Sequence, residues 1–355
     1  MLHKIKGYYN NAFHGLSPIS LLKQWYKDPK EWCIDNRNKL QHLAQTNLHL
    51  AIYHFNNGDS GDAIFRLHLL KLFSPFPPAA QYYMGRCYME KFKPNKAKHY
   101  LLEYKRTGDQ KFATETEYCL QVLDKRPDID AIPISIVTHN CDRAAKYQRN
   151  PVLTEKKGQI SLQRQICDML ATSLTNNEQS LAKNVLDLGC GSGILGQYIR
   201  QARMANVIVG VDISSKMLEI AQTLQFDGMQ TYSRLIHQDV REFFIKSNDR
   251  NIYDIVIASN LVTYFRDIKL LFDGIDKLST ETAILVLSFK NTKDQGDQRF
   301  IHNIEEFHYS KQYIQRVIAD TVWEINMDQS ASIKSREDMT ILLLSKKAAL
   351  NDSIT

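Results

Sequence analysis

Residues 184–196 read Asn-Val-Leu-Asp-Leu-Gly-Cys-Gly-Ser-Gly-Ile-Leu-Gly. A short apolar run carrying one acid, Asp187, breaks into three alternating glycines, Gly189, Gly191 and Gly193. An apolar run that ends in glycines predicts a buried parallel strand turning sharply into a helix. Glycine permits positive φ and lets a ligand approach the main chain closely. The helix that follows then offers its unpaired N–H groups to that ligand.

Gly191, Gly193 and Gly196 also spell G-x-G-x-x-G, the pattern that cradles a dinucleotide pyrophosphate. An acid just upstream would repel a pyrophosphate, and Asp187 stands there. It suits a ligand with a cationic amino group or sulfonium. The downstream elements follow in order. Residues 207–211 predict a second strand, and Asp212 ends it 19 residues beyond Gly193. An acid at that tip can accept both hydroxyls of a ribose. Asp212 is expected to face solvent, so that its replacement by Ala would leave the fold intact. Ser214 suits a helix N-cap, with Met217 in the first turn. Asp239 and Val240 open another helix. Residues 253–258 predict a fourth strand, with Ser259, Asn260 and Leu261 at its carboxyl end. Ligands of open α/β sheets bind outside the carboxyl ends of the strands, where all these acids and glycines fall.

The order acid–apolar–Gly-x-Gly-x-Gly, carried by Asp187, Gly189, Gly191 and Gly193, resembles the first motif of class I S-adenosylmethionine-dependent methyltransferases. That resemblance implies S-adenosylmethionine as cofactor. Its binding residues would be Asp187, Gly189, Gly191, Gly193, Asp212, Ile213, Met217, Asp239, Val240 and Asn260, with Asp239 on the adenine amino group. It also implies an α/β fold with a seven-stranded Rossmann-like sheet. Helices are expected at 159–174, 267–278 and 307–318. Strands are expected at 282–289, 322–326 and 339–345, the last two forming an antiparallel hairpin. The literal dinucleotide pattern keeps a nicotinamide-dependent oxidoreductase open as an alternative.

The first part of the chain is a different object. Ala51 and Gly85 lie 34 residues apart, as do Ala63 and Ala97. That period is the tetratricopeptide repeat's, in which small residues let paired helices approach closely. Gly58 and Asp59 form the turn of the first unit, Pro75 closes it, and Phe92 replaces the turn glycine in the second. Two units need capping helices, expected at 17–32 and 114–123. The expected domains are therefore an all-α TPR-like domain at 1–125, a linker and lid at 126–155, a methyltransferase domain at 156–347 and a tail at 348–355. Residues 142–147 resemble the segment that folds over the donor in methyltransferases, which draws attention to Tyr147 and Arg149. The repeats would offer a concave surface to a protein or peptide partner. A non-catalytic adaptor, with the repeats as its working part, is a further alternative.

With 43% hydrophobic and 24% charged residues, the 355-residue chain reads as an ordinary globular protein. A formal charge of +6 without a dense basic stripe gives no strong nucleic-acid signal. The six cysteines include no C-x-x-C pair, which argues against zinc and for reduced thiols in a cytoplasmic protein. No secretory leader or membrane span is expected. Residues 259–265 lack the Asn/Asp-Pro-Pro-aromatic motif of enzymes that methylate planar amino groups, which argues against adenine, cytosine or glutamine as acceptors. Residues 261–268, with Ser288, Phe289 and residues 307–310, resemble a bacterial family of methyltransferases carrying tetratricopeptide repeats. Residues 142–147 and 259–261 also resemble the carboxyl methyltransferases that esterify a malonyl carrier protein. Tyr264, His308 and Tyr309 are the candidate acceptor-side residues.

Overall fold

Twice, 34 residues apart, the first part of the chain closes a helix with the same turn. Helices α1 (Pro29–Asn56) and α2 (Ser60–Phe73) form one pair, α3 (Pro78–Glu90) and α4 (Pro94–Arg106) the other. Gly58 N–H donates to the Phe55 carbonyl and Asp59 N–H to that of His54, both at 2.8 Å. In the second pair Phe92 N–H donates to Met89 and Lys93 N–H to Tyr88, both at 2.9 Å. These bonds satisfy orphan carbonyls at the helix end and need a left-handed residue. Gly58 supplies it at φ 72°, and Phe92 is forced into it at φ 53°. Ala51, Ala63 and Ala97 are fully buried, and a Cβ on Gly85 would lie 2.6 Å from Leu101.

Phe92 is 78% exposed, so its ring contributes little burial. Phe92→Gly should therefore raise unfolding free energy by about 0.5–1 kcal/mol, the left-handed penalty less the chain entropy of glycine. A higher urea midpoint at unchanged slope would show it. A lower midpoint would mean that the ring packs more strongly than its exposure implies.

The structure, a computed structural model, describes residues 29–126, 128–148, 161–175, 183–292, 296–302, 305–333 and 337–347. The chain divides into two units, Met1–Leu123 and Asp124–Thr355. The first also contains α5 (Ala113–Leu123), which packs against α4. Of the expected cap at 17–32, residues 17–28 lie outside the described residues, and 29–32 begin the long α1. No helix among the described residues is long and apolar enough to cross a membrane.

The second unit begins with α6 (Ile134–Ala145) and α7 (Leu162–Thr175). Then come β1 (Asn184–Leu188), α8 (Ile194–Gln201), β2 (Val207–Asp212) and α9 (Ser215–Thr223). A small hairpin of β3 (Gln225–Phe226) and β4 (Met229–Gln230) precedes β5 (Arg234–His237), α10 (Val240–Lys246) and β6 (Tyr253–Ser259). The chain continues through α11 (Lys269–Leu278), β7 (Ser279–Lys290), β8 (Gln298–Ile301) and β9 (Glu306–Tyr309). It closes with α12 (Lys311–Ala319), β10 (Trp323–Ile333) and β11 (Glu337–Lys346).

Seven strands form one sheet in the order β10-β11-β7-β6-β1-β2-β5. The five from β7 to β5 are parallel, and β10 and β11 run antiparallel, as expected for the last two strands. Strands covered on both faces read as continuous apolar runs, and residues 255–258 are buried throughout. On one face Ile166 and Leu170 of α7 pack with Val185, Ile257, Val286 and Ile341.

One expectation needs correction. Residues 307–318 are not one helix, because Glu306–Tyr309 pairs antiparallel with Gln298–Ile301. Phe307 and Tyr309 alternate inward, and that period of two prevails over the helical one. The helix starts only at Lys311, capped by Ser310, whose hydroxyl accepts from Tyr313 N–H at 3.1 Å. Within the segment expected as linker and lid, residues 128–133 form neither helix nor strand, and α6 starts after Pro133 and buries Ile136, Val137 and Ala145.

Candidate functional site

At the carboxyl ends of β1 and β2 the chain reverses under two neighbouring acids. Gly189 and Cys190 donate from their main-chain N–H groups to the Val211 carbonyl at 2.8 and 3.2 Å. That bridge holds the glycine loop against β2. Gly189, Gly191 and Gly193 all have positive φ, 54–82°, so the loop conformation excludes side-chain-bearing residues at low strain. Gly193 caps the start of α8.

Asp187, paired in register with Gly210 of β2, is 1% exposed. Its Oδ2 accepts a hydrogen bond from the Tyr232 hydroxyl at 2.7 Å. Burial pushes the Asp187 carboxyl up to about 7; the tyrosine bond opposes this and the Asp212 charge adds to it. Tyr232 sits in a hole made by three glycines. A Cβ on Gly193, Gly196 or Gly210 would come within 2.9, 2.4 and 2.8 Å of its ring. Gly196, the last glycine of the literal dinucleotide pattern, therefore serves tyrosine packing. Sequence reading missed Tyr232; the glycine at 210 inside an otherwise β-branched strand was the available signal.

Asp212 is 7% exposed and does not face solvent, contrary to the sequence expectation. Its Oδ2 accepts from Gly191 N–H and its Oδ1 from Ser214 N–H, both at 2.8 Å. Each carboxylate oxygen keeps a second lone pair for an outside donor. Burial pushes this carboxyl up and the two main-chain bonds oppose it. Ser214 caps α9, its hydroxyl accepting from Met217 N–H at 3.1 Å, and donates to Asp142 Oδ1 at 2.5 Å. Ser192 donates to Gln148 Oε1 at 2.7 Å. The segment from α6 to Gln148 is thus tied to the glycine loop and to α9. Tyr147 itself is 82% exposed and outside the cavity wall, and Arg149 lies outside the described residues.

Asp239 caps α10 by accepting from Arg241 N–H at 2.9 Å, and it is also held by the Arg241 guanidinium at 2.9 and 2.7 Å. Burial pushes Asp239 up, but the Arg241 bonds prevail and keep its carboxyl below the ordinary range. Asn260 has a left-handed φ of 54°, and its N–H donates to Ser288. Its Oδ1 is buried without a hydrogen-bond partner among the described residues.

Asp187, Gly189, Gly191, Asp212, Ile213, Met217, Asp239, Val240 and Asn260 all line one cavity of about 1130 Å³. Gly193 lies behind the wall. Of the acceptor-side candidates, Tyr264 lines the cavity. Its hydroxyl lies 3.9 Å from Cys141 Sγ. Burial pushes the Cys141 thiol up to about 12 and the Tyr264 phenol well above its ordinary value, so both stay protonated near neutrality. His308 is outside the wall, with Nε2 3.7 Å from Glu306 Oε2. Tyr309 is fully buried and locks the turn after β6, donating to the Val262 and Phe265 carbonyls. The structure thus brings Tyr264 to the cavity and leaves Tyr309 in the core, where the strand pairing of β9 puts it.

Residues 179–342 match a family model described as a methyltransferase domain. Over 130 residues the chain is 30% identical to ribosomal RNA small subunit methyltransferase C of Haemophilus ducreyi, covering 37% of this chain and 35% of that protein. Over 110 residues it is 28% identical to the malonyl-[acyl-carrier protein] O-methyltransferase of Priestia megaterium, covering 31% and 36%. The chain thus spans about a third of the length of these two relatives. Among solved structures it is similar to magnesium protoporphyrin IX methyltransferase from Synechocystis with bound S-adenosylhomocysteine. That match has 17% identity and a TM-score of 0.42, and covers 59% of this chain and 100% of the other. The match to a methyltransferase domain falls within the α/β unit and fits S-adenosylmethionine as methyl donor.

Proposed function

We propose that this chain, bearing a methyltransferase domain over residues 179–342, moves the methyl group of S-adenosylmethionine to an acceptor by in-line displacement. The observation that carries the reading is the convergence of Asp187, Asp212 and the glycine loop on one cavity at the carboxyl ends of β1 and β2. Asp212 would take the ribose hydroxyls on its outward lone pairs. Asp239 and Val240 would flank the adenine. Asp187 and the loop would hold the cationic methionine end, with Met217 and Ile213 packing on the nucleoside and Asn260 Oδ1 completing the set. The sulfonium is itself a good leaving system, so positioning at about 3–3.5 Å does most of the work. The acceptor nucleophile takes the methyl group and the sulfur keeps the electron pair of the broken bond.

The α6 segment is proposed as the lid, and residues 1–125 as a TPR-like domain for a protein or peptide partner. Its 34-residue repetition of turn and buried small residues supports that reading. A protein or a carrier-protein-bound carboxylate is the proposed acceptor class, in a cytoplasmic setting. The test is incubation of the purified chain with tritiated-methyl donor and a heat-treated cell extract. Label transferred to the protein fraction is the expected result; label in the lipid or small-molecule fraction would keep the methyltransferase reading and overturn the acceptor class. No transfer above a donor-only control, with donor bound, would favour the adaptor role.

Donor affinity should depend on pH. Below about 7 the free protein holds a proton on Asp187, and a cationic ligand must expel it. Affinity for S-adenosylhomocysteine should rise by up to about tenfold per pH unit approaching 7 and then level off. The sign for folding is the reverse. The native carboxyl binds its proton more tightly than the unfolded one, so its contribution to stability declines between roughly pH 4 and 7. Calorimetric titration from pH 5 to 8 reads the first effect, and a flat profile would remove Asp187 from the ammonium site.

A further inference from the structure

The cavity continues beyond the residues assigned to the donor. Asp212 of β2, Asp187 of β1 and Asn260 just after β6 line one half, and Lys290 of β7, Met339 of β11 and Met327 of β10 line the other. These residues follow the lateral order of the strands. Neighbouring strands lie about 4.8 Å apart, so the wall runs on for about 14 Å past β6. A single drug-sized ligand takes about 300–1,000 Å³, and this cavity of about 1130 Å³ leaves space beside a donor.

The chemistry of the second half is distinctive. Met339 on β11 and Met169 on α7 are buried, and Met327 on β10 is half-buried. With Met217, four of the nine methionines of the chain line this one cavity. Their unbranched, polarizable side chains adapt to flexible apolar partners. The nearest cation, Lys290, is already bound to Glu306 at 2.7 Å, so this half presents little net charge. The polar residues of this half include Gln163 and Gln165, half-buried on α7, Asp168, which is paired with Arg164 at 3.1 Å, and the exposed Thr172 and Gln329.

We propose that the β7–β11–β10 half of the cavity holds an aliphatic chain of the methyl acceptor, running between the methionines from the donor site toward Gln329. This rests on the methyltransferase reading and narrows it to acceptors with an alkyl portion.

The test is calorimetric titration of the full chain, saturated with S-adenosylhomocysteine, with straight-chain alcohols of four to ten carbons. Affinity should tighten about fourfold per added methylene. Met327→Gln, at a half-buried position, should flatten the series while leaving S-adenosylhomocysteine affinity unchanged. Met339→Leu, which conserves volume, should retain the length dependence. Equal affinity along the series, or a Met327→Gln protein with the full length dependence, would overturn the proposal. So would aryl alcohols binding more tightly than alkyl alcohols of equal carbon number. The donor-analogue titration on the same sample separates this from failure of the methyltransferase reading. If the analogue does not bind, the alcohol series on the free protein still decides the pocket.

Discussion

Asp212→Asn should weaken S-adenosylhomocysteine binding by about a hundredfold while the α/β unit stays folded. The carboxylate already accepts from Gly191 and Ser214 and has one outward lone pair per oxygen for the ribose hydroxyls. Hydrogen bonds to a charged group contribute about 1.5–3 kcal/mol each. The amide keeps one oxygen and turns the other acceptor into a donor, so one main-chain N–H and one ribose hydroxyl lose their partner. Asp212→Ala is the poorer choice, because it strands two main-chain N–H groups in a buried place at about 1–3 kcal/mol each. Calorimetry on Asp212→Asn, with a melting curve on the same sample, separates affinity from folding. Undiminished affinity in a folded protein would mean that the ribose lies elsewhere.

The largest loss of stability is expected at Tyr232. The ring fills the hole left by Gly193, Gly196 and Gly210, and its hydroxyl donates to buried Asp187. Tyr232→Ala removes a buried aromatic and should cost about 3–5 kcal/mol. Tyr232→Phe keeps the packing and deprives Asp187 of its donor, at about 1–3 kcal/mol. Because that bond opposes the effect of burial on Asp187, the phenylalanine variant should also move the pH dependence of donor affinity upward. Guanidinium unfolding and the pH series together check both parts. A Phe variant with wild-type stability and an unshifted profile would show that the hydroxyl does nothing for Asp187.

The fold was legible because the glycine-terminated strand, the acid at the tip of β2 and the apolar run of β6 are local signals with local causes. Those apolar runs marked individual strands, and the resemblance to class I methyltransferases implied their number, seven. The failures have a common origin in tertiary pairing. Phe307 and Tyr309 sit in a segment whose apolar spacing fits either period, and only the partner strand Gln298–Ile301 decides it. The engagement of Asp239 by Arg241 and the burial of Asp212 depend on how neighbouring loops close. Tyr232 was missed because its pocket is made by glycines of two separate elements, Gly193 and Gly196 at the start of α8 and Gly210 of β2. The acceptor half was illegible for the same reason: Met169, Met327 and Met339 come from three separate elements and meet only across the sheet edge.

The central claim is that the crevice between Asp187 and Asp212 holds a sulfonium nucleoside. Parallel calorimetric titrations of the full chain with S-adenosylhomocysteine and with NADH test it directly. Saturable binding of S-adenosylhomocysteine, lost in Asp212→Asn, with no heat from NADH, is the predicted result. Saturable binding of NADH with none of S-adenosylhomocysteine would contradict it.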